Sequence, residues 1–196
     1  MGITQVKKSE TKNMLDIHFS NGDIVAVYEE DYYTMHLYDK ENFTQADIAD
    51  IKRATDERFG RAYAIKLILY KKRTKKEIQD KLIDKEIEQQ TIDKIIQKLE
   101  KEGYVNDTLY AEKLIKRMKA QNKSKKQIEL EFLMKGLKEQ ENLLYDYDFD
   151  EQALQNLLNK KFDNKDLNDQ KIKIKVYNFL KMKGFDYEII RKYVKI

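Results

Sequence analysis

Proline, cysteine and tryptophan are absent from this 196-residue chain, and glycine occurs only six times. Without cysteine there is no disulfide, no thiolate metal site and no thiol nucleophile. With no proline and few glycines, little interrupts a helix, and the 38% charged residues supply its solvated face. Histidine occurs only at His18 and His36, and no third ligand can be placed on a common face with them, so neither a metal nor a cofactor is expected. A glycine-rich phosphate loop is also missing. Asp16, Asp23, Glu29, Glu30 and Asp31 could gather near strand ends, but solvated loop charges account for them equally well. No apolar run approaches the roughly 18 residues of a membrane span, so no membrane partner is expected. The N-terminus has no apolar signal core, which makes the cytoplasm the expected location. These absences point away from an enzyme.

What is present is charge, unevenly spread. Residues 1–50 hold four basic residues (Lys7, Lys8, Lys12, Lys40) against ten acidic ones, a balance of −6. The chain totals +4, so the remainder carries +10. An acidic head therefore precedes a basic body, which suits a polyanionic partner, either nucleic acid or an acidic protein surface.

The head reads as β structure. Leu15–Phe19 alternates, Ser20-Asn21-Gly22-Asp23 supplies a turn with the Asn-Gly pair that favours positive φ, and Ile24–Tyr28 returns. A further strand is expected near Ile3–Lys8. Thr44 is a helix N-cap with Asp47 three residues on. From there to Tyr70 the chain reads as helix, with a break near Arg58-Phe59-Gly60. Ala62, Ile65, Leu69 and Tyr63, Leu67, Tyr70 fall at helical apolar spacings.

Beyond residue 61 one pattern recurs. Thr74-Lys75-Lys76-Glu77-Ile78, Leu82 and Lys85-Glu86-Ile87 reappear as Ser124-Lys125-Lys126-Gln127-Ile128, Phe132 and Lys135-Gly136-Leu137. A worn third copy keeps Val176, Leu180 and Lys183-Gly184-Phe185. The shifts are about 50 and then about 48 residues, the mark of a repeat array. Thr74 with Glu77, and Ser124 with Gln127, read as capping boxes. Gly103 and Gly136 read as left-handed helix ends. The expected fold is mainly α: tandem three-helix repeats in an elongated, curved array, with a small N-terminal β-hairpin or β-sheet extension. The division reads as an acidic β-rich extension (1–43), a connecting helix (44–61) and three-helix repeats at 62–105, 106–150 and 151–196. Residues 145–150 read as a short acidic connector. Tyr63, Tyr70, Tyr110 and Tyr177 sit at helical spacing and read as core, with Tyr70 also the one candidate for base stacking beside lysines.

The candidate site is basic. Lys71, Lys72, Arg73, Lys75 and Lys76 place five cations in six residues. Residues 113–126 hold Lys113, Lys116, Arg117, Lys119, Lys123, Lys125 and Lys126 with no acid among them. Both clusters fall where the first helix of a repeat gives way to the second. A helix N-terminus attracts anions through its unpaired N–H groups, so lysines there suggest a phosphate or carboxylate site. A direct DNA-binding protein with helix-turn-helix-like units is the alternative use of such trihelical units.

At this point the motifs resemble those of the RecX family, regulators of the RecA recombinase. The resemblance covers residues 62–196. It rests on Gly103-Tyr104-Val105-Asn106-Asp107-Thr108-Leu109-Tyr110-Ala111, on Lys71 through Ile78, on Lys135-Gly136-Leu137, and on Phe179 through Phe185. Lys71 and Lys181 stand where the family often has arginine, and Glu86 replaces an expected glycine, so that helix end should be built differently. The resemblance implies a non-enzymatic modulator without cofactor, a monomer by default. Its partner would be the RecA filament on single-stranded DNA, whose groove it would occupy, restraining recombinase, ATPase and co-protease activity. The basic turns would then meet acidic RecA surface or DNA phosphates.

Overall fold

A computed structural model describes residues 1–144, 150–163, 165, 167 and 169–194. The chain is mainly helical, with one small sheet. It divides into two compact units: Met1–Lys71 with Ile78–Tyr104, and Lys72–Glu77 with the chain from Val105.

In the first unit, β1 (Ile3–Lys8), β2 (Met14–Phe19) and β3 (Ile24–Tyr28) form an antiparallel sheet in sequence order. Period-two alternation buries Leu15, Ile17, Phe19, Val25 and Val27 on one face. Ile17 pairs with Val6 on one side and Val25 on the other. Only Gly22 of the Asn-Gly pair takes positive φ (+90°), so the hairpin closes as a turn from Phe19 to Gly22 rather than as the two-residue form with both residues left-handed. A short helix α1 (Glu29–Thr34) and a 3-10 turn (Leu37–Asp39) follow. The sheet is covered by α2 (Gln45–Tyr70), through Ile48 and Ile51, with Phe43 edge-on to Phe19 at 5.2 Å. Thr44 and Asp47 form the expected capping box. The Lys40 ammonium, then the Thr44 N–H, hold the Asp47 carboxyl far below its usual range.

The expected break in α2 does not occur: the helix runs unbroken through Arg58-Phe59-Gly60. Gly60 is there for packing. A Cβ on it would lie 2.7 Å from Ile95 Cδ1 and 2.8 Å from Ile87 Cδ1, so its bareness lets α4 (Gln89–Lys101) approach. The buried stripe of this half is Gly60, Ala64 and Ile68. Tyr70, two residues past Ile68 and so on the opposite side, is 88% exposed and is not core. Tyr63, Tyr110 and Tyr177 are half-buried.

Between them, α3 (Lys75–Ile83) ends in a Schellman motif: Ile87 N–H bonds Leu82 O and Glu86 N–H bonds Ile83 O. Glu86 occupies the left-handed position at φ +59°. This helix end is therefore built as the glycine ends are, not differently. The same pattern closes at Gly103-Tyr104, Gly136-Leu137 and Gly184-Phe185. The three apolar residues that follow the second helices, Ile87, Leu137 and Phe185, are all buried.

The second unit holds α5 (Asp107–Ala120), α6 (Lys125–Lys135), a 3-10 helix (Lys138–Leu144), α7 (Asp150–Phe162), α8 (Gln170–Met182) and α9 (Tyr187–Tyr193). One apolar cluster gathers Leu114, Ile115, Ile128, Phe132, Leu137 and Leu144. Another gathers Leu154, Leu158, Val176, Leu180, Phe185 and Ile190. Residues 145–149 of the acidic connector lie outside the described residues.

Candidate functional site

The basic turns repeat in burial as well as in sequence. Arg73 and Lys123 are half-buried, Thr74 and Ser124 buried, Lys75 and Lys125 half-buried, and Lys76 and Lys126 exposed. Both capping boxes form: Thr74 Oγ1 accepts from Glu77 N–H while Glu77 accepts from Thr74 N–H, and Ser124 with Gln127 does the same. Lys71, Lys72, Lys116, Arg117 and Lys119 are exposed. Arg73 Nε is enclosed without a hydrogen-bond partner among the described residues.

The helix N-termini at these turns are not vacant for an external anion. Lys75 N–H donates to Asp107 Oδ1 at 3.0 Å, and Lys125 N–H donates to Asp150 Oδ1 at 2.7 Å. Asp107 and Asp150 are the first residues of α5 and α7, and both are buried. Each carboxylate ties the start of one repeat to the second helix of the repeat before it. This corrects the expectation that the free N–H groups form the anion site, because the chain supplies the anion itself. Burial pushes the Asp150 carboxyl up, against the pull of the Lys125 N–H.

The Lys-Gly turns complete the junction from the other side. Gly136 lies under the Lys76 stem, where a Cβ would fall 2.6 Å from Lys76 Cβ. Lys135 Nζ reaches Glu77 Oε1 at 2.6 Å, with both side chains only 21% exposed. Burial works against the Glu77 charge, but the bonds from Lys135 and from Thr74 N–H outweigh it and hold the carboxyl below its usual range. One repeat later, Ser124 Oγ donates to Lys183 O at 2.8 Å, and a Cβ on Gly184 would fall 2.8 Å from Ser124 Oγ. Capping box, aspartate clasp and Lys-Gly turn thus form one recurring junction that holds the cationic turns in place. Asp107 stands where the second repeat restarts in the sequence, but Asp150 read as the end of the acidic connector, and their partners lie 32 and 25 residues away and carry no local signal.

Two further features went unread in the sequence. On α6, Leu130, Leu133 and Met134 are exposed. A cleft of about 400 Å³ beside them is lined by Lys125, Lys126, Glu129, Leu130, Leu133, Glu141 and Leu144. In the third repeat, lysines lie over rings: Lys161 Nζ is 3.8 Å from the Phe179 centroid, Lys183 5.8 Å from the same ring, and Lys181 5.7 Å from Tyr177. Among the described residues no group of three His, Cys, Asp or Glu could hold a metal ion, and no helix is long and apolar enough to cross a membrane.

Comparison with known proteins agrees with this architecture. The family model of the RecX first three-helix domain matches residues 61–99, and that of the RecX third three-helix domain matches residues 150–194, beginning at the Asp150 clasp. The regulatory protein RecX of Streptococcus mutans is 26% identical over 194 residues, covering 96% of this chain and 74% of that one. That of Listeria innocua is 31% identical over 139 residues, covering 70% and 52%. The crystal structure of RecX from Lactobacillus salivarius superposes with a TM-score of 0.61 at 29% identity, over 72% of this chain and 96% of that one. A second RecX crystal structure covers 99% and 98% with a TM-score of 0.65, and at 18% identity it speaks to the fold alone. The three-helix units, their order and these matches together support the RecX family for this chain.

Proposed function

We propose that this chain is a non-enzymatic, cytoplasmic, monomeric regulator that binds the RecA filament on single-stranded DNA and restrains its recombinase, ATPase and co-protease activities. The carrying observation is the recurrence of one cationic turn, with the same cap and the same burial order, at residues 71–76 and 123–126. A cluster that occurs once is an ordinary solvated turn; a cluster kept at equivalent places by a shared junction presents charge at a fixed spacing. The exposed cations Lys71, Lys72, Lys116, Arg117 and Lys119 supply electrostatic docking to acidic protein surface or DNA phosphate. The half-buried Arg73, Lys75, Lys123 and Lys125 hold the turns. The apolar α6 side chains beside Lys126 suit a protein partner better than bare DNA. Repeats at 62–105, 106–150 and 151–196 are the proposed functional divisions, with 1–43 and 44–61 as head and connecting helix.

The test is RecA ATPase on single-stranded DNA. Lys71→Gln with Lys72→Gln should weaken inhibition while leaving the far-UV dichroism and the melting curve unchanged. Unaltered inhibition rejects the docking role. Direct DNA binding is the second reading, favoured by the ring-seated lysines of the third repeat. It predicts tight duplex binding in a gel shift without RecA.

A further inference from the structure

The head carries a surface opposite in sign to the turns. Within residues 29–39, Tyr32, Tyr33 and Tyr38 are in mutual ring contact, with centroids 5.3, 6.2 and 6.1 Å apart, and His36 lies 5.8 Å from Tyr38. Tyr32 is drawn against the head's core, and this anchors the group. The others face solvent: Tyr33 is 55% exposed, Tyr38 51% and Met35 43%. His36 Nδ1 and Tyr38 Oη lie 3.1 Å apart, which orients the two rings. Tyrosine and methionine are the residue types that protein interfaces enrich, and contiguous exposed aromatics mark such surfaces.

The charge around these rings is negative. Glu29 lies one helical turn before Tyr33, and Asp39 follows Tyr38, and residues 1–50 around them balance to −6. Such a field repels nucleic acid and draws cations. The same segment already shows how a guanidinium is held here. Arg58 Cζ sits 4.6 Å over the Tyr28 ring, and the fork reaches Glu30 at 2.6 Å and also Asp31. Ring face plus carboxylate is the combination that selects arginine over lysine, because guanidinium stacks and donates as a planar fork.

We propose that Tyr33, His36 and Tyr38, rimmed by Glu29 and Asp39, dock an arginine-bearing basic segment of a protein partner. The chain then carries two binding surfaces of opposite sign, the cationic turns for a polyanionic partner and this one for a basic protein segment. The inference does not rest on the RecA reading.

The experiment is fluorescence anisotropy with the full chain and two labelled peptides of equal length and charge, one alternating arginine with serine and one lysine with serine. The arginine peptide should bind about threefold or more tightly than the lysine peptide. Tyr33→Ser with Tyr38→Ser, which changes no charge, should weaken arginine-peptide binding about fivefold or more, the effect of losing two exposed ring contacts. Asp39→Lys, a single exposed substitution, should do likewise and keeps the test valid if the double variant misfolds. Equal affinity for the two peptides, or undiminished binding in both variants, overturns the proposal. A double variant that loses affinity for an oligo-dT strand instead of the peptide also overturns it, by making the rings a base-stacking surface.

Discussion

Replacing Gly136 with alanine tests the repeat junction directly. Gly136 holds φ +70°, where an L side chain costs about 1 kcal/mol. Its added Cβ would also fall 2.6 Å from Lys76 Cβ and 2.8 Å from Lys76 Cδ. The Cδ contact can be relieved by a rotamer change, but Lys76 Cβ is fixed to the α3 backbone, so the junction must open. Overpacking of that kind costs about 1–3 kcal/mol, giving about 2–4 kcal/mol in all. Gly103 is the control. It takes φ +74°, but a Cβ on it meets nothing within 4 Å, so Gly103→Ala should cost only the conformational term of about 1 kcal/mol. Urea unfolding followed by far-UV dichroism compares the two. Because the chain has two compact units, amide exchange at Leu137 and Ile128 should report the loss locally. Lys76→Ala should rescue Gly136→Ala only slightly, since alanine keeps the Cβ. If the two glycine variants agree within about 0.5 kcal/mol, within the ordinary scatter of surface substitutions, the junction is not packed as described.

The remaining predictions concern the same junctions and the exposed aromatic. Glu77→Gln copies the Gln127 of the next repeat, so the cap survives but Lys135 loses its carboxylate; about 1–2 kcal/mol should be lost at pH 7. Since the folded Glu77 carboxyl titrates below its unfolded range, that difference is fully present above about pH 4.3 and disappears as pH falls through the lowered value, which urea titrations at several pH values can follow. Asp150→Ala should cost about 1 kcal/mol by uncapping Lys125 N–H, whereas Asp150→Asn keeps an acceptor and should cost much less. Burial raises the Asp150 carboxyl, so its charge opposes folding above that raised value, and wild type should gain on Asp150→Asn as the solution is acidified through it. Tyr70→Ala should change stability by less than about 0.5 kcal/mol in thermal melts, because the ring is exposed; a larger loss would return Tyr70 to the core.

What the sequence made legible was local. Thr44 with Asp47, Thr74 with Glu77 and Ser124 with Gln127 announce helix starts because a cap bonds within three residues, and all three formed. Gly103 and Gly136 announced ends for the same reason. The errors arose where a distant partner decides. Gly60 looked like a breaker because the Ile87 and Ile95 side chains that need its empty space lie 27 and 35 residues on. Tyr70 fell at a core spacing, but Gly60, Ala64 and Ile68 set the buried face. Glu86 takes a glycine's conformation because the Schellman bonds and the burial of Ile87 outweigh the backbone cost. The cationic turns were visible as charge; the buried carboxylates Asp107 and Asp150 that occupy their helix ends were not.

The central claim is that exposed cations on recurring turns grip a filament. Co-sedimentation with RecA-coated single-stranded DNA over a salt series tests it most directly, comparing the chain with its Lys72→Gln, Lys116→Gln, Arg117→Gln variant, altered only at exposed positions. The account predicts that the chain pellets with filaments, is released as salt rises, and that the variant binds about tenfold or more weakly with a shallower salt dependence. Absence from the pellet at low ionic strength, or a variant that pellets as the unaltered chain does, would contradict it.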